Sequence, residues 1–293
     1  VTSLAWGLAL ALVASVALNA SYLLQHAGST AGAIEITPRR PVATLASLLR
    51  SPLWALGAVL GVTGWALHVG ALSRAPLSLV QAFVAGGLAL TVPMAAIGLG
   101  HRARPDERRA AGLMVAALVL LSLGLHGAGR HAAYSPVVLG GYLAALGAVA
   151  AVLAVADSGA RRAAALGLAG GTLYGAADLA IKALTRHGVG SALTSPWVVA
   201  AALATIGAFF AFQRGLQLGR PVTVIALMTA ATNVTSIAGG FVVFGDPLGR
   251  TPLLAVLHAI GFGLVAVAAW RLAPSQASLT AGTLTPAAGA SEG

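Results

Sequence analysis

Apolar residues in this chain come in long runs, and the short stretches between them hold nearly all of the charge. Nine runs reach the roughly 20 residues that a helix needs to cross the hydrocarbon core of a bilayer. They cover 3–24, 52–73, 77–99, 109–126, 136–156, 163–184, 196–213, 221–244 and 252–270. The pattern predicts an all-α integral membrane protein with nine transmembrane helices. Runs three and eight begin at Pro76 and Pro221, where a first-turn proline is tolerated. The first run has no basic leader and no convincing cleavage site, so it reads as a retained span. The polar, proline-containing stretch 25–51 reads as a long loop, and the Ser/Thr/Ala/Gly-rich stretch 272–293 as a disordered cytoplasmic tail.

Composition agrees. Hydrophobic residues make up 58% of the chain and charged residues 8%, against about 25% charged in soluble domains, and mean hydropathy is +0.90. The net charge of +10 comes from basic residues between apolar runs. It marks membrane loops rather than a nucleic-acid surface, so the expected partner is the lipid bilayer and not nucleic acid. Without cysteine, disulfides and thiolate metal sites are excluded. Nine spans put twelve basic residues on one side (Arg39, Arg40, Arg50, Arg102, Arg104, Arg108, Arg109, Arg161, Arg162, Arg214, Arg220, Arg271) and five on the other (Arg74, Arg130, Lys182, Arg186, Arg250). The positive-inside rule then puts the N-terminus outside and the C-terminus in the cytoplasm, in a multi-pass protein of the cytoplasmic (inner) membrane.

The chain repeats itself. SPLWALGAVLGVTGWALHVGALSRAPLSLVQAF aligns with SPWVVAAALATIGAFFAFQRGLQLGRPVTVIALM at a shift of 145, which carries Gly70 to Gly215, Pro76 to Pro221 and Gly100 to Gly245. Run six carries a small-residue stripe, Gly167, Gly171 and Gly175, continued by Asp178. The first run echoes it 160 positions earlier with Gly7, Ala11, Ser15 and Asn19. Such stripes let helices approach closely, and they serve intramolecular packing and a homodimer alike. The predicted organisation is a first four-helix repeat over 1–126, a linker with the fifth span over 127–162, and a second four-helix repeat over 163–271. Five crossings separate equivalent points, so the halves are inverted. Many secondary transporters share this plan and handle substrate near the midplane between the halves.

The small-residue first helix, the turns GALSRAPLSLVQ and GLQLGRPVTVIA, and GFVVFGDPLGR before the last helix resemble the small multidrug resistance repeat. Two such repeats joined by a linker span, nine in all, look like the NIPA-type magnesium transporters of the drug/metabolite transporter superfamily. The resemblance covers about residues 1–271 and implies a transport fold. The small multidrug exporters carry a coupling glutamate in the first helix. Ala14 and Tyr174 stand at the matching positions here, and Asp178 lies one turn further on.

Asp178 is the only carboxylate inside a predicted span. A carboxylate near the bilayer centre costs roughly 2.5–3.5 kcal/mol on insertion scales, which marks it as the coupling candidate. Tyr174 and Lys182 lie four residues to either side of it. Lys182 can neutralise Asp178 on the same helix face or snorkel to the headgroups. Run eight is polar: Thr229, Thr232, Asn233, Ser236 and Gly240 fall near helical spacing, and such a stripe must face protein or water. His68 corresponds to Gln213 under the repeat, a polar pair suited to a cavity, and Gln81 and Asn19 complete the set. His258 reads as packing. No nucleophile elbow, phosphate loop or zinc-type histidine pair occurs, so neither an enzyme nor a cofactor is expected. The leading expectation is a secondary transporter moving a small solute by alternating access. A magnesium or divalent-cation carrier is the close rival, and a non-transporting scaffold or flippase accessory subunit is the different class.

Overall fold

The computed structural model describes residues 2–31, 41–87, 105–123, 133–155, 161–185, 192–218, 221–247 and 251–282. Their regular structure is helical, with no strand among the described residues. In chain order the helices are α1 (Thr2–Ala31), α2 (Pro41–Leu49), α3 (Pro52–Leu72), α4 (Leu77–Gly87), α5 (Pro105–Ser122), α6 (Pro136–Val155), α7 (Arg162–Leu184), α8 (Pro196–Leu218), α9 (Pro221–Phe244) and α10 (Pro252–Gly282). Each of the nine predicted runs carries one of them. Six, namely α1, α3, α6, α7, α8 and α9, are long and apolar enough to cross a membrane. Leu77–Gly87 and Pro252–Ala268 are shorter apolar stretches. The protein is a multi-pass membrane protein with a helical body.

Two expectations need correction. The stretch 25–51 is not one long loop, because α1 continues to Ala31 and α2 occupies Pro41–Leu49. The small polar residues there, such as Ser29 and Thr30, extend a helix that is already nucleated. The tail read as disordered from 272 is helical as far as Gly282, since propagation from α10 costs far less than nucleation. Residues 283–293 lie outside the described part.

Proline punctuates the fold. Seven helices begin on a proline, and α4 begins one residue after Pro76. Four of these starts are Ser–Pro or Thr–Pro pairs in which the hydroxyl accepts from a first-turn N–H. The pairs are Ser51 with Trp54, Ser135 with Val138, Ser195 with Trp197 and Thr251 with Leu254, at 3.3–3.5 Å. The hydroxyl serves an otherwise unmade N–H, and proline at the first position has no N–H to lose.

Helix α1 lies along α3, and α7 lies along α8 and α9. The glycine stripe of α7 sets its distance from α9. A Cβ on Gly167 would meet the Val224 carbonyl oxygen at 2.9 Å, one on Gly171 would run into the Met228 carbonyl oxygen, and one on Gly175 would run into Thr235 Oγ1. On α1, Ser15 is buried and donates from Oγ to the Val84 carbonyl of α4. Helices α5 and α10 pack together through Met114, Ala117, Leu121, Val265 and Ala268. His258 on α10 is buried there with Nε2 2.9 Å from the Leu123 carbonyl oxygen. Large apolar side chains such as Val59, Val62, Val149, Val152, Leu203 and Ile206 point outward, as a lipid-facing surface requires.

After α9 the chain reverses through Gly245 at φ +62°, and the Asp246 N–H returns to the Gly240 carbonyl at 3.0 Å. A Cβ on Gly245 would touch nothing within 4 Å, so only backbone strain opposes a substitution. Gly245→Ala is expected to cost about 1 kcal/mol, with Gly245→Asn costing less because Asn tolerates the left-handed region. Thermal unfolding in detergent measures both. Equal stability of all three proteins would contradict the turn.

Candidate functional site

Asp178 sits on α7 between the glycine stripe and the helix end, and three other helices reach it. Gln81 Nε2 of α4 donates to Oδ2 at 2.6 Å, and Ser236 Oγ of α9 donates to the same oxygen at 3.1 Å. His68 Nε2 of α3 lies 3.1 Å from Oδ1. His68, Gln81 and Ser236 are buried, and 14% of the Asp178 side chain is exposed. A carboxylate among apolar helices is thus held by partners on three other segments, two from the first half of the chain and one from the second. Buried polar groups of this kind are stable only when their bonds are made.

The exposed part of Asp178 opens into a cavity of about 160 Å³. A dry engineered cavity of about 150 Å³ accepts benzene, so this one suits a small molecule. Its polar wall contains Ser15, Asn19, His68, Gln81, Tyr174, Thr229, Thr232 and Asn233, and its apolar wall Leu18, Trp65, Val84, Ala85 and Met228. The lining comes from α1, α3, α4, α7 and α9. Eight of the eleven candidate residues from the sequence line it: Asp178, Tyr174, Asn233, Thr229, Thr232, His68, Gln81 and Asn19. Ser236 joins them through Asp178. Thr232 also braces the helices, since its Oγ1 donates to Gly171 O at 3.1 Å and Met228 O at 2.9 Å.

Two candidates lie elsewhere. Lys182 neither pairs with Asp178 nor snorkels. It is 1% exposed, and its Nζ donates to the carbonyls of Leu72 at 2.6 Å and Ala75 at 2.8 Å. Side-chain direction decides this outcome, because the ammonium reaches the turn between α3 and α4. Gln213 is absent from the lining although His68 is present. Helix α8 lies against a different part of α7, where a Cβ on Gly170 would meet Ala208 O at 3.2 Å and Phe212 N at 3.1 Å.

Sequence reasoning missed Ser15 and Trp65 in the wall, and it missed Asp246. Asp246 is 5% exposed, its Oδ2 accepts from the Ser78 N–H at 2.7 Å, and its charge acts on Lys182. Ser15 was visible as a member of the small-residue stripe. The signal for Asp246 was an acid directly after a glycine turn, within reach of a helix N-terminus. Among the described residues no group of three His, Cys, Asp or Glu side chains could hold a metal ion.

Comparison of the chain with protein-family models, with curated proteins and with solved structures gave no match.

Proposed function

We propose that the protein is a secondary transporter of the drug/metabolite type that carries a small organic solute across the cytoplasmic membrane. In this reading nine spans form two inverted four-helix halves, and alternating access proceeds about the cavity at Asp178. The observation that carries it is the cavity itself: a carboxylate held by three helices opens into a space lined by both halves of the chain, eight of whose polar or charged residues the sequence had singled out. Ionisable groups within membrane segments face such pathways far more often than they face lipid. Asp178 would be the coupling group, with Thr229, Asn233, Tyr174 and Asn19 contacting the solute.

Size and lining support an organic solute over a divalent cation. Magnesium keeps several waters and takes oxygen ligands with carboxylates prominent. The cavity lining holds one carboxylate, already engaged by three partners, and four apolar side chains besides Trp65.

Thermal stability of the purified protein against magnesium chloride, small alkylammonium ions and small amino acids tests the reading. A ligand held by the folded state alone stabilises by about 2.7 kcal/mol at a hundred times its dissociation constant. Stabilisation by an organic member, lost when Ala85→Trp fills the cavity, is the expected result. Stabilisation by magnesium alone would support the cation carrier instead. No shift, together with no uptake by reconstituted vesicles, would support a scaffold or a flippase accessory subunit.

A further inference from the structure

The turn between α3 and α4 is gripped by two buried charges from the other half of the chain. Helix α3 ends at Leu72 and α4 starts at Leu77, with Pro76 between them. Such a break leaves carbonyls without partners at one helix end and N–H groups at the next. The Lys182 ammonium meets the carbonyl side, donating to Leu72 O and Ala75 O. The Asp246 carboxylate meets the N–H side, accepting from Ser78 N. Each charge has the sign that the adjoining helix end favours. Space for the arrangement depends on Gly240, where a Cβ would meet Asp246 Oδ2 at 2.6 Å and Ser78 N at 3.0 Å.

The grip is tied to the cavity. Lys182 is one helical turn from Asp178 on α7. His68 stands one turn before Leu72, and Gln81 three residues after Ser78, so two of the three partners of Asp178 flank the gripped turn. A movement of α7 that loosens Asp178 from His68 and Gln81 must also draw Lys182 away from the turn.

The grip is also one-sided. The repeat carries Lys182 to Tyr22 at the shift of 160 and Asp246 to His101 at the shift of 145, so the first half supplies no matching Lys–Asp pair for the turn at Pro221. We propose that Lys182 and Asp246 are a latch that closes the cavity at the Arg74 end of the bundle, and that the opposite end opens without one. Opening the latched end requires Lys182 to leave the two carbonyls. This inference rests on the transport reading, and both residues are positioning residues that touch no solute.

The chain has no cysteine, so one introduced thiol reports access cleanly. Ala85→Cys in the cavity wall is labelled with a membrane-impermeant maleimide in right-side-out and in inverted vesicles. Exposed Arg74, as Arg74→Cys in a separate protein, identifies the latched side. Lys182→Met and Asp246→Asn are each expected to speed labelling of Ala85→Cys from that side on the order of tenfold, the shift that follows from losing charge-assisted hydrogen bonds in one state. Labelling from the opposite side stays the same or falls, and Lys182→Arg restores protection. Unchanged labelling in both variants overturns the latch. So does an equal rise from both sides, which is the result of a loosened fold. If Lys182→Met fails to reach the membrane, Asp246→Asn decides by the same two outcomes. One-sided gains in a protein that moves no solute keep the latch and remove the transport reading, whereas transport without one-sided gains does the reverse.

Discussion

Gly171→Val is expected to prevent the protein from reaching a stable folded state. The first added carbon would run into the Met228 carbonyl oxygen and lie 2.8 Å from the Ala231 Cβ. The obstacle on α9 is main chain and cannot move aside as a side chain would. Overpacking against movable side chains already costs about 1–3 kcal/mol. Here α7 and α9 must separate, and the separation pulls Ser236 from Asp178 and Thr232 from Gly171 O. A loss above that range exceeds much of the margin of a typical domain. Gly141→Val on α6 is the matched control, because a Cβ there meets nothing within 4 Å. Size-exclusion profiles and thermal unfolding in detergent should show loss or aggregation for Gly171→Val and near wild-type behaviour for Gly141→Val. A monodisperse Gly171→Val protein of wild-type stability would contradict the close approach of α7 to α9.

Asp178→Asn carries the second large effect, and it falls on function rather than folding. Asparagine keeps the shape and an acceptor oxygen, and Gln81 can turn its amide to meet the new NH₂ group. The fold therefore survives, with a stability loss in the range of about 1–3 kcal/mol expected for a disturbed buried hydrogen-bond group. The charge does not survive. A solute that depends on the carboxylate is expected to bind on the order of a hundredfold more weakly, as when one member of a buried charged pair is removed, and no proton can bind at the amide. Titrating the stabilising solute against both proteins measures this. Equal affinity in a well-folded Asp178→Asn protein would remove Asp178 from the site.

The sequence was most legible where one residue type has one physical meaning. Apolar runs located nine helices, and glycines four apart on α7 announced the close approach to α9. A carboxylate inside an apolar span pointed to the place where the cavity lies, because its cost demands a partner or a function. Legibility failed where the partner is main chain. Lys182 looked like a mate for Asp178 because carbonyls at a helix end have no letter of their own. Asp246 was missed for the same reason, since its partner is the Ser78 N–H. Gln213 was misjudged by trusting the repeat beyond the backbone, as related positions need not face the same space. The wall residue Trp65 is half exposed, and one side chain that meets both the cavity and the exterior has no periodicity to betray it.

Uptake into proteoliposomes tests the central claim most directly. Wild-type protein and Asp178→Asn are reconstituted at equal density, and flux is followed for the solute that most stabilises the wild type, with and without a proton gradient. The expected result is saturable uptake by the wild type, faster with the gradient, and uptake by Asp178→Asn close to that of empty vesicles. Equal rates for the two proteins, or a wild type no faster than lipid alone, would contradict a transporter organised around Asp178.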